Sequence, residues 1–285
     1  MSDQVCEVSP IVADDDNSLP VPGSGRVLSA YLVVQVCLFL GLVWKWWYFQ
    51  QADQIYQQIS ISDSFFPDWL ESPRVVRWAY LGSLAGIILG VLGMLPWIRQ
   101  VCAAVVIATL GVLLVHQASY NDMTFATSLW VAIWTFWFST RMERDEPAFL
   151  LRRGAFLARV IGSMILLGGA VGKWTPEYWS GDVFYDIYFR DRDYWVFNYL
   201  REHTQPETLR TMATWYSRKV IVVETVVGLG MWLLPAKIAA AVGVTIFFSI
   251  AFFSNNLLFS VLWCLVGLSA VGFFVIRQPA AEQTQ

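Results

Sequence analysis

Charge is scarce in this chain. Asp, Glu, Lys and Arg together make up 14% of its 285 residues, against about 25% in an average soluble domain. Histidine occurs only as His116 and His203. Neither has a second ligand residue at metal spacing, so no protein-bound metal is expected, and one histidine in an apolar setting is a weak basis for haem. The four cysteines, Cys6, Cys37, Cys102 and Cys264, form no CxxC motif, and three of them lie in apolar runs. This argues against a disulfide scaffold and a zinc site. A net charge of -3 offers nothing to a phosphate backbone, so no nucleic acid is expected as a partner. The first 25 residues, MSDQVCEVSPIVADDDNSLPVPGSG, are acidic and lack an apolar core. They read as a disordered tail rather than a signal peptide, and the first apolar segment is expected to stay in the protein.

What the chain has in abundance is apolar and aromatic surface: 56% hydrophobic residues, 15 tryptophans and a mean hydropathy of +0.51. This composition predicts an all-α, polytopic membrane helical bundle of about eight transmembrane helices with an aromatic outer loop. The expected spans are Val27 to Tyr48, Arg74 or Val75 to Leu95, Val101 to His116, Met123 to Ser139, Gly154 to Gly172, Arg218 or Lys219 to Leu234, Ile238 to Phe253 and Leu257 to Ile276. Residues 26–276 then form one membrane domain, flanked by the tails 1–25 and 277–285. Lys45, beside Trp46, Trp47 and Tyr48, reads as the interfacial end of the first span. Arg26, Arg99, Arg141, Arg144, Arg152, Arg153, Lys237 and Arg277 all fall on one side of eight spans. The excess of basic residues there predicts that both termini are cytoplasmic. Arg218 and Lys219 lie close to a span on the opposite side and run against that rule.

The longest polar interval starts at Lys173, at the end of the small-residue run Gly168, Gly169, Ala170 and Gly172, and continues through Trp174, Tyr178, Trp179 and Trp195. Eight alternating spans bring Lys173 to the same outer side as His116, Asn121, Asp122, Asn255 and Asn256. Glu224 lies about six residues inside the sixth span, roughly 9 Å below its outer end. Ionisable groups within a membrane segment are costly and commonly functional, so Lys173 and Glu224 are the candidate catalytic pair. The alternative readings are a Lys173 that snorkels to the headgroups and a Glu224 held by Arg218, Lys219 or Lys173. The aromatic interval reads either as a lid over an outer cavity or as an amphipathic interfacial helix.

The run GGAVGKWTPEYWSG resembles the lysine-bearing segment of the HTTM family, the transmembrane domain shared with vitamin K-dependent gamma-carboxylase. The resemblance extends from about Arg26 to Phe274. It includes the Asn121 to Thr127 segment, the acidic position Glu224 and the run FSNNLLFS. It implies that Lys173 is a base acting on a quinone or hydroquinone, that Glu224 orients or balances charge, and that His116, Asn121, Asp122, Trp179 and Asn255 line the cofactor site. Gly181 falls on the glycine position that follows Trp179. The chain departs from the carboxylase at Asp122 and Phe252, where that protein carries histidine, and nothing here corresponds to its large lumenal domain. The expectation is therefore an enzyme on a quinone-like or lipid substrate rather than a full peptide carboxylase. The alternative is a non-enzymatic, DoxX-like membrane subunit that binds quinone or lipid and anchors a redox partner. Membrane lipid and a small redox protein are the partners these readings imply.

Overall fold

The computed structural model describes residues 23–46, 72–93, 95–118, 124–190, 192–253 and 260–276. Every regular element in them is helical. The long helices are α1 (Ser24–Trp44), α2 (Pro73–Leu92), α3 (Pro96–Ala118), α4 (Thr124–Arg141) and α5 (Pro147–Gly172). The segment that follows α5 contains α6 (Pro176–Ser180), α7 (Asp182–Phe184), a π-helical turn at Tyr185–Arg190 and α8 (Trp195–His203). The chain then returns through α9 (Pro206–Leu233) and α10 (Ala236–Phe253). It finishes in α11 (Trp263–Ala270), which is flanked by 3-10 turns at Ser260–Leu262 and Val271–Phe274.

Four of these helices, α1, α2, α3 and α5, are long and apolar enough to cross a membrane. At 1.5 Å per residue the 21 residues of α1 extend about 31 Å, the thickness of a hydrocarbon core. Ala236–Phe252 and Ser260–Phe274 are shorter apolar helices. Prolines open α2, α3, α5 and α9, where a missing N–H costs nothing because the first turn of a helix has no carbonyl to receive it. Pro147 sets the start of α5 seven residues before the expected Gly154, and Pro206 sets that of α9 twelve before Arg218. Both helices therefore absorb much of the connector that precedes them.

The helices run back and forth between two ends. At one end Gly23 lies beside Ile276 and Pro147, Arg99 reaches Met142, and Arg159 Nη1 donates to the Leu234 carbonyl at 2.9 Å. That last contact places a cation on the final carbonyls of α9, which no other turn of the helix can satisfy. At the opposite end Lys45 meets Phe125 at the start of α4, and Lys173 meets Glu224. The core runs through the middle, built from Tyr31, Leu38, Leu110, Phe138, Phe247 and Leu265 among others. Close approach of α1 and α11 depends on Gly267, where a Cβ would sit 2.6 Å from that of Cys37. Where there is no hydrophobic drive between helices, such small residues let dispersion contacts form across a short interhelical distance.

Lys45 does not behave as an interfacial end. It is fully buried, with its ammonium 4.8 Å from the centre of the Phe125 ring. The reason is tertiary: α1 sits inside the bundle, contacting α2, α4, α5 and α11, so its C-terminal end is covered by neighbours.

Candidate functional site

Lys173 and Glu224 lie 51 residues apart in sequence and meet where α5 ends against α9. The Lys173 ammonium donates to both carboxylate oxygens of Glu224, at 2.7 Å to Oε2 and 2.9 Å to Oε1, and to the Gly169 carbonyl at 3.3 Å. Its three protons are thereby all engaged. The Lys173 side chain keeps 23% of its surface exposed and that of Glu224 only 9%, so the carboxylate is the buried partner and the amine the one within reach of a ligand. Burying two charges is costly unless each finds such a partner, which is why the bond is two-pronged.

Local structure explains how Lys173 is placed. It is the C-cap of α5, and its backbone N–H closes the last turn onto Ala170. Its side chain therefore points back along the helix toward Gly169. A Cβ at Gly169 would stand 3.4 Å from both Lys173 Nζ and Glu224 Oε2, while Gly168 and Gly172 face open space. One level down, Ser163 Oγ donates to the Gly228 carbonyl at 2.7 Å and accepts from Trp232 Nε1 at 2.7 Å. This second polar joint holds α5 and α9 in register.

The segment between α5 and α9 is fastened to α9 by a set of bonds that has no signature in the sequence. Three successive carbonyls at the end of α6 are taken by side chains of α9: Tyr178 by Ser217 Oγ, Trp179 by Arg218 Nε at 3.0 Å, and Ser180 by Thr214 Oγ1. The last carbonyls of a helix lack intrahelical donors, and here α9 supplies them. Gly181 follows with a φ of 88°, in the left-handed region that glycine enters without cost. A Cβ there would also come within 2.6 Å of the Thr214 backbone nitrogen. Trp179 packs beside Trp174 with ring centres 5.1 Å apart, and the Arg218 guanidinium lies 5.9 Å from the Trp179 ring. Beyond them Phe189, Phe197, Leu209 and Ala213 form a small separate core, bordered by Tyr185, Tyr188 and Tyr194. The interval is thus a folded cap with its own apolar interior, not a single interfacial helix. Burial, with the Tyr188 and Glu224 charges adding to it, raises the Tyr178 hydroxyl above its usual pKa of 10.0.

Of the residues singled out in the sequence, the structure brings together Lys173, Glu224 and the small-residue run, with Trp179 in the adjoining cap. His116 lies in the last turns of α3, and its side chain is outside the described set; Asn121, Asp122, Asn255 and Asn256 are outside the described residues. Phe252 is exposed on α10, its ring stacked 5.7 Å from Phe248. Among the described residues no group of three or more His, Cys, Asp or Glu side chains is arranged to hold a metal ion. Two hollows lie away from the pair: one of about 310 Å³ between α4 and α5, walled by Trp130, Trp134, Trp137 and Met164, and one of about 570 Å³ along α9. Comparison of the chain with protein-family models, with curated proteins and with solved structures returns no match.

Proposed function

We propose that this is an integral membrane enzyme of eight spans, resembling the HTTM family, in which Lys173 serves as a base toward a quinone-like or lipid hydroxyl and Glu224 balances its charge. The observation that carries the reading is the pair itself: a buried carboxylate grips an amine that remains within reach of a ligand, beside a glycine run. Lys173 keeps the exposed surface and is the base; Glu224 is the buried partner that balances the charge of its ammonium.

The residues present fit a flat hydroxylated ring. Gly169 keeps a side chain away from the pair, Gly168 and Gly172 leave open space beside it, and Trp174 and Trp179 offer ring faces at the same end of α5. A hydroquinone would supply an acidic hydroxyl and reducing equivalents. In its neutral form Lys173 Nζ takes the proton of the hydroxyl and becomes the ammonium that Glu224, 2.7 Å away, holds. The net change is one proton moved from ligand to Lys173.

A second reading, a non-enzymatic DoxX-like subunit that binds quinone or lipid and anchors a redox partner, is favoured by one observation. All three ammonium protons are already engaged, as in a joint that only locks α5 to α9. Oxygen consumption with a short-chain hydroquinone, measured on the full chain in lipid nanodiscs, separates the two. The enzyme reading expects turnover that falls by about 10²–10⁴ in Lys173→Ala. Full turnover in that variant, or none above background in the wild type, would refute it.

A further inference from the structure

The face of α9 opposite Glu224 carries a second site, of different chemistry. From Thr208 to Leu233 one helical stripe presents, in order, Thr208 and Thr211, then Trp215, then Arg218 and Lys219, then Val222, Val226, Leu229 and Leu233, all spaced at three or four residues. The upper part of this stripe, with Met212, Tyr216 and Val223, walls the hollow of about 570 Å³. Arg218 and Lys219 are both exposed, and no carboxylate belongs to the described wall of that hollow. Arg218 spends its Nε on the Trp179 carbonyl, and the residue remains exposed. Below the two cations, Val222, Val226, Leu229 and Leu233 are all exposed apolar side chains.

Polar hydroxyls, an indole, a cation pair and then an exposed aliphatic stripe follow the polarity profile of a phospholipid from headgroup to acyl chain. We infer that this groove binds an anionic phospholipid, its phosphate on Arg218 and Lys219 and its acyl chain along Val222, Val226 and Leu229. The phosphate is committed to a lipid rather than to free phosphate because the cations sit directly above some 21 Å of helix, from Val220 to Leu233, whose exposed stripe of Val222, Val226, Leu229 and Leu233 is apolar. It also gives a reason for two basic residues standing at the outer end of a span, against the usual distribution. The inference rests on α9 crossing the membrane, as in the proposed function, but not on any catalytic role for Lys173.

The test is native mass spectrometry of the full chain released from nanodiscs of mixed phosphatidylglycerol and phosphatidylcholine. Wild type is expected to retain phosphatidylglycerol preferentially. Arg218→Gln with Lys219→Gln should weaken that retention about 30-fold, which is about 2 kcal/mol for two cations at a charged surface. Lys219→Gln alone, which breaks no bond to the cap, should weaken it several-fold, and Arg218→Lys with Lys219→Arg should keep it. Equal retention of both lipids by wild type, unchanged retention in both glutamine variants, or displacement of the lipid by millimolar inorganic phosphate would overturn the inference. Recovery of wild type as a lipid-free soluble protein would overturn it together with the membrane reading. Loss of hydroquinone turnover with lipid retention intact would touch only the catalytic one.

Discussion

Removing one partner of the Lys173–Glu224 pair should harm the protein more than removing both. Lys173→Met leaves a carboxylate that is 9% exposed without its cation, a loss placed at about 3 kcal/mol, the lower edge of the range for buried pairs. Glu224→Leu leaves an ammonium on a side chain 23% exposed, which can turn toward water, so its cost is about 1.5 kcal/mol. The double variant replaces two buried charges by apolar groups of similar size and should lie within about 1.5 kcal/mol of wild type. The implied coupling is about 3 kcal/mol, the upper end for residues in contact. At roughly 2–4 °C per kcal/mol, Lys173→Met should melt about 6–12 °C below wild type, and the double variant above it. The 15 tryptophans make intrinsic fluorescence in detergent a direct assay. A Lys173→Met protein melting with wild type, or a double variant as depressed as the sum of the singles, would show that the two groups do not depend on each other.

Two further outcomes follow from the same end of the bundle. Gly181→Ala, forced into a left-handed conformation against the Thr214 backbone, should cost at least about 1–2 kcal/mol and loosen the cap, read as faster proteolysis between α6 and α8. Gly169→Ala meets only ordinary contacts and should melt with wild type while losing hydroquinone turnover, because its methyl group occupies the space beside the amine. In the alkaline range, Tyr178 has a folded pKa raised by burial, so its contribution to stability is complete below pH 10 and is lost as pH rises through the higher folded value. Tyrosinate absorbance should therefore lose one of its late-titrating hydroxyls in Tyr178→Phe; an unchanged titration curve in that variant would show that the group is not held.

The all-helical character, the apolar helices and the two ionisable residues worth watching were legible in the amino-acid sequence, because each depends on local information. Helices such as α1 and α5 follow from apolar runs long enough to cross a bilayer, bounded by Pro or Gly. Glu224 stood out because a carboxylate inside an apolar segment needs a reason to be there. Lys45 shows where local reading stops. Its neighbours Trp46 and Trp47 look like an interfacial belt, yet the residue is buried, since packing of α1 between α2, α4, α5 and α11 decides exposure and no window of sequence carries that. The same holds for the cap. The aromatic content of residues 174–195 foretold an ordered segment, but the three carbonyls at its first turn are paid for by Thr214, Ser217 and Arg218, about 35–40 residues downstream.

Three candidates for the partner of Glu224 were open in the sequence: Arg218, Lys219 and Lys173. Arg218 and Lys219 are nearer in sequence, but the helical screw turns them to the opposite face of α9. Only the packing of α5 against α9 brings Lys173 to 2.7 Å, and so separates a buried ion pair from two exposed cations. Sequence by itself determined which residues carry charge within the apolar half of the chain. Tertiary structure decided which charges neutralise each other, because pairing is a matter of distance through space, and the residues that meet here are 51 positions apart.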